Sequence, residues 1–153
     1  MKLKIKKIEK PDIDLLMDLA NKFNFDNIDM SKYENIFEFY DKNVLIGVIN
    51  YCILPSFTGK HRVYIRNLYY SDDKYIYYII NSLCVYCKKK SLTINTSLKS
   101  NNFNDICKKA FYDNNFTGMR EQPTSYGVRE QPTSYGVREQ PTSYGNDLIY
   151  YIY

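Results

Sequence analysis

The sequence predicts an α/β (α+β) fold, in which a mixed, mostly antiparallel sheet is flanked by helices in a single domain. Three observations carry that expectation. β-rich runs alternate along the chain with segments whose apolar residues recur at helical spacing. Two of those runs, 36–40 and 44–54, are separated only by the turn residues Asp41, Lys42 and Asn43, which makes them a hairpin. The length of 153 residues, with 44% hydrophobic and 25% charged residues, suits one globular core.

The elements follow in order. Residues 2–9 alternate lysines with Leu3, Ile5 and Ile8 and read as a first strand. Pro11 and Asp12 open a helix whose apolar stripe is expected at Ile13, Leu16, Met17, Ala20 and Phe23. Residues 25–34 read as a loop with a short helix. The 36–40 and 44–54 hairpin comes next, and Gly47 inside it signals a bulge or a close backbone approach. After a turn region over 55–60, residues 62–70 form another strand. Ser71, Asp72 and Asp73 then supply an N-cap for a helix that buries Ile76, Ile79, Ile80, Leu83, Cys84 and Cys87 and ends near Lys90. A strand over 92–96, a helix over 102–113 and a final strand over 147–153 complete the chain. The last helix places Phe103, Ile106, Cys107, Ala110 and Phe111 on one face.

Composition limits the function classes. The formal net charge of +4 is a mild bias toward anionic ligands and says nothing of fold. Lys88, Lys89 and Lys90 complement a helix C-terminus better than they make a nucleic-acid patch, and there is no dense basic stripe. No apolar stretch follows the basic N-terminus, and the run from Val44 is too short to span a bilayer, so a cytoplasmic location is the expectation. Cys52, Cys84, Cys87 and Cys107 are then expected as reduced thiols. Cys84-Val85-Tyr86-Cys87 is a lone C-x-x-C late in a helix, where the dipole disfavours thiolate, and His61 is the single histidine that could complete a metal set. An apolar helix face is the reading for both cysteines.

A nine-residue repeat interrupts this pattern. Arg-Glu-Gln-Pro-Thr-Ser-Tyr-Gly starts at Arg120, Arg129 and Arg138, so the repeat region covers 118–145. Its composition differs sharply from the rest of the chain, which points to a tandem duplication in the connection before the last strand. Pro123, Pro132 and Pro141 argue against central strands there. An irregular loop is the simpler reading, and a tyrosine-bearing recognition arm is the alternative.

The end of the helix over 102–113 reads Ala110-Phe111-Tyr112 and is followed by Phe116. An A-x-Y-x-x-x-F helix end, with a strand and a long helix before it and a strand after it, resembles the GNAT superfamily of acetyl-CoA-dependent N-acetyltransferases. The element order matches along essentially the whole chain. The resemblance implies transfer of an acetyl group from acetyl-CoA to an amine on a small molecule or peptide, with a homodimer open as the assembly and no nucleic acid or membrane as partner. It implies that Tyr112 protonates the departing thiolate and that Glu38, or a water, takes the amine proton. It further implies that Leu68, Tyr69 and Tyr70 hold the pantetheine arm, that Lys74, Tyr75 and Ile76 lie at the pyrophosphate, and that Asn104 contacts the cofactor. The family's Q/R-x-x-G-x-G/A junction is here Ser71-Asp72-Asp73-Lys74-Tyr75-Ile76, without its glycines. That departure keeps a second reading open, a catalytically inactive binding module of the same fold.

Overall fold

The computed structural model describes residues 1–25, 33–55, 59–97, 103–119 and 147–150. The expected loop at 25–34, most of the repeat and the last three residues of the expected final strand lie largely or wholly outside them. The described residues build one seven-stranded sheet in the order β1-β2-β3-β4-β5-β7-β6. The strands are β1 (Lys4–Glu9), β2 (Asn35–Asp41), β3 (Val44–Leu54), β4 (Arg62–Tyr70), β5 (Thr93–Ser97), β6 (Thr117–Met119) and β7 (Asp147–Tyr150). Only the β4–β5 pair is parallel. The helices are α1 (Ile13–Phe23), α2 (Ile76–Lys89) and α3 (Asp105–Asp113), and a 3-10 turn at Asp73–Tyr75 leads into α2.

Local chemistry explains these boundaries. The carboxylate of Asp12 accepts the Leu15 N–H at 2.9 Å and caps α1. Asn24 ends that helix in the left-handed conformation, at φ 55°. The β2–β3 turn places both Lys42 and Asn43 at positive φ, which matches the right-handed twist of the strands it joins. The last expected helix starts later than 102, because Asn104 caps it by accepting the Cys107 N–H at 2.9 Å.

Two apolar cores lie on opposite faces of the sheet. One face packs Phe37, Ile49, Val63, Ile65 and Ile94 against α2 and α3. Every expected core residue of α2 is buried, Cys84 and Cys87 included. The other face packs Ile36 and Val48 against Leu16 and Leu19 of α1. Here the structure corrects the expected stripe: Ile13 and Met17 are exposed, and Leu19 takes their place beside Leu16 and Ala20. Short α1 covers only part of its face, so its contact narrows to the residues over β2 and β3. Ile106 of α3 is likewise exposed, whereas Cys107, Ala110 and Phe111 point inward.

Candidate functional site

The site begins where the β4–β5 pairing ends. Parallel pairing runs from Arg62↔Thr93 to Ile65↔Thr96 and stops. Ser97 then pairs with Asp147 of β7, while β4 continues along β3 to Tyr70. The cause is visible in the register. Asn50 pairs with Asn67 but Tyr51 pairs with Ile65, so Arg66 is an extra residue, and a bulge of this kind bends its strand. Thr96 fixes the last point of contact, its Oγ1 donating to the Ile65 carbonyl at 3.0 Å. β5 ends one residue later, at Ser97, so among the described residues no strand pairs with the β5-facing edge of β4 from Arg66 to Tyr70, and this stretch of edge is the slot referred to below.

Past the bulge, β4 carries Leu68, Tyr69 and Tyr70. Leu68 and Tyr70 pack on the α2–α3 side. Tyr69 packs on the α1 side, where its ring stacks on Phe25 at 4.2 Å and Phe25 stacks on Tyr33 at 5.5 Å. The Tyr70 hydroxyl reaches the start of α3: it accepts from Asn104 Nδ2 at 3.4 Å and lies 3.4 Å from Cys107 Sγ. Burial, and secondarily the contact with Cys107, raises its pKa well above the ordinary phenol value and keeps it protonated. The structure therefore brings together Tyr70 and Asn104, which the sequence singled out, and Cys107, which it placed only in the core. Contacts between residues 34 and 37 positions apart leave no signal in the sequence.

The junction after β4 is closed by its own hydrogen bonds. Asp72 Oδ1 accepts the Lys74 N–H at 3.0 Å, and the Asp72 carbonyl accepts the Tyr75 N–H at 3.0 Å. The Ile76 N–H bonds to the Asp73 carbonyl. The Ser71 N–H bonds to the Ile46 carbonyl at 3.0 Å. The Lys74 side chain is exposed, with its ammonium 5.1 Å from the Tyr75 ring, and the Ile76 side chain is buried in the core.

Tyr112 and Glu38 stand apart from this cluster. Tyr112 is half exposed on α3, one residue around the helix from Phe111, which is fully buried between Phe103 and Phe116. Glu38 is buried, 4% exposed, and accepts from the Tyr40 hydroxyl at 2.9 Å. Burial first, then the Glu38 carboxylate, pushes the Tyr40 pKa up to about 12. Glu38 sits on β2, and β3 separates that strand from β4, so its backbone is roughly 10 Å from the slot.

The four cysteines are free and buried. Burial raises the Cys84 thiol and pushes Cys87 up to about 12, the behaviour of packed core thiols and not of a redox pair. Among the described residues no group of three or more His, Cys, Asp or Glu side chains is placed to hold a metal. No described helix is long and apolar enough to cross a membrane.

No family profile and no curated protein matches this sequence. Solved structures do match the fold. An N-acetyltransferase from Staphylococcus aureus Mu50 superposes with a TM-score of 0.55 at 13% identity, covering 78% of this chain and 85% of that one. A probable acetyltransferase from Staphylococcus epidermidis ATCC 12228 gives 0.52 at 16% identity, over 75% and 83% of the two chains. Arabidopsis thaliana Naa50, in complex with the bisubstrate analogue CoA-Ac-MVNAL, gives 0.50 at 15% identity, over 97% and 96%. The chain shares the fold of these acetyltransferase structures.

Proposed function

We propose that the protein is an N-acetyltransferase that moves an acetyl group from a pantetheine thioester, acetyl-CoA in the first instance, to an amine. The observation that carries this reading is the slot opened by the Arg66 bulge, where the β4–β5 ladder ends at Ile65↔Thr96 and β4 runs on to Tyr70. An extended pantetheine arm has the length and amide spacing to lie along β4 as a strand-like addition beside Leu68, Tyr69 and Tyr70. Asn104, at the start of α3, donates its amide to the hydroxyl of Tyr70 at the end of β4.

The chemistry is direct transfer. The amine nitrogen attacks the thioester carbonyl, the C–N bond forms and the C–S bond breaks. The thiolate leaves with a proton from a phenol, and the amine proton passes to a carboxylate or to water. Tyr112 is the proposed acid and Glu38 the proposed base. Glu38 acts at the distance of its strand, through water. Tyr112→Phe should lower the steady-state rate of thiol release about 100-fold or more with the melting temperature unchanged, the size expected for loss of a general acid. Equal rates would remove Tyr112 from the mechanism and turn attention to the Tyr70 phenol.

A second reading, a binding module without catalysis, is favoured by one observation: the Asp72 carboxylate caps the 3-10 turn that leads into α2, beside the place a pyrophosphate would take. Titration of acetyl-CoA into the protein by calorimetry separates the two. Saturable micromolar binding supports the transferase and justifies an acceptor screen. The absence of heat at millimolar cofactor supports the module.

A further inference from the structure

We propose that the protein recognises its acyl donor by the pantetheine arm alone and that Asp72 is a specificity-determining residue that turns away the pyrophosphate end of coenzyme A. The proposal rests on the reading of the β4–β5 slot given above.

Backbone N–H groups at a helix start hold a pyrophosphate when they are unpaired and when no carboxylate competes. The turn before α2 departs from both conditions at the groups that follow. The N–H groups of Ser71, Lys74, Tyr75 and Ile76 all have acceptors within the chain. One of those acceptors is the Asp72 carboxylate itself, which holds the place an anion would take. Asp73 adds a second carboxylate in the first turn, and Lys74 offers the single cation, its side chain directed over the Tyr75 ring. Replacing Asp72 by a diphosphate would break the cap and set the incoming charge against Asp73.

The slot itself keeps its form. It is built by a bulge and by the Thr96–Ile65 hydrogen bond, neither of which depends on the junction. The two halves of a coenzyme A site are thus decoupled in this chain: the half that takes the arm is present, and the half that takes the diphosphate is filled. The donor chemistry is an acyl thioester of pantetheine, supplied free as coenzyme A or on the arm of a carrier protein. The nucleotide end makes no favourable contact at this junction.

Calorimetric titration of the full-length protein with coenzyme A and with D-pantetheine, each in its thiol form, tests this. Dissociation constants within about threefold of each other are expected, because the shared arm carries the affinity. Coenzyme A binding more than about tenfold tighter than pantetheine would overturn the proposal while leaving the slot reading intact. Failure of both ligands to bind would defeat the slot reading, and this proposal with it. Asp72→Asn keeps the cap and removes the charge, since Asn caps as well as Asp. It should strengthen coenzyme A binding about threefold without changing pantetheine binding. An unchanged ratio of the two constants in this variant, and in Asp72→Ser, would also overturn the proposal. A pantetheine-bearing carrier protein, run as a third ligand, tells the two donor sources apart.

Discussion

At the scale of single residues, Gly47 sets the fit between sheet and helix. A Cβ built there would lie 2.6 Å from Ile79 Cδ1 of α2 and 3.2 Å from the Tyr69 carbonyl oxygen. The methyl of Ile79 can move, but the β4 backbone cannot easily give. Gly47→Ala should therefore destabilise the fold by about 1–3 kcal/mol, read as a lower urea midpoint at unchanged slope. Combining it with Ile79→Val, which removes the nearest carbon, should cost less than the two changes summed. A Gly47→Ala protein as stable as the parent would show that α2 sits farther from β3 than this. The sequence announced Gly47 as a bulge or a close approach. Both are present, since the register also shifts between Phe39 and Tyr40, opposite Gly47 and Leu45. Glu38 was less legible. Strand periodicity places it on a face but does not say that β1 and β3 flank it or that Tyr40 covers it.

At the scale of elements, α2 was the most readable. Its six apolar residues at helical spacing are the six that are buried, because a long helix lying across the sheet must face it along its whole length. The short α1 and α3 were read less well, since tertiary packing decides which residues of a wide apolar arc face inward, and Ile13, Met17 and Ile106 fell outside. The tie between α2 and α3 is polar: Asn114 donates to the Ala110 and Tyr77 carbonyls and accepts from Asn81. That contact could not be read from two asparagines in a sequence rich in them. Burial of Cys84 and Cys87 on α2 makes stability depend on alkaline pH. Cys87 moves from 9.0 to about 12 and Tyr40 from 10.0 to about 12 on folding. Both are raised, so the folded state holds protons that the unfolded chain releases. Their contribution is complete below about pH 9 and is lost as pH climbs toward 12. The melting temperature should hold between about pH 7 and 8.5 and fall steadily above pH 9. A flat profile to about pH 11 would mean that these groups are open to water.

At the scale of the molecule, the order of elements along the chain was legible in the sequence, whereas the placing of β7 between β5 and β6 was not. Nor was the one-residue bulge at Arg66, which shows only in the register of paired strands. The junction was half legible: the missing glycines could be read directly, whereas the hydrogen bonds around Asp72 depend on the backbone conformation of the turn. The repeat joins the end of β6 to the start of β7, and the pairing Met119↔Asp147 lies at its base. Removing two of its three copies shortens that connection without touching the described core. The closure entropy changes by only about 0.6 kcal/mol per doubling of length. The shortened protein should melt within about 3 °C of the parent by calorimetry. A drop much larger than that would show that the repeat contributes packing of its own.

The pairing at the base of the repeat also bears on inheritance. Nine residues are twenty-seven nucleotides, a whole number of codons, so slippage during copying adds or removes a unit without shifting the reading frame. The array lies between Met119 and Asp147, which pair, so whole units can be added or removed between these two positions without altering a residue of either strand. A change in unit number therefore lengthens or shortens the connection nine residues at a time while the residues of β1 to β5 stay as they are.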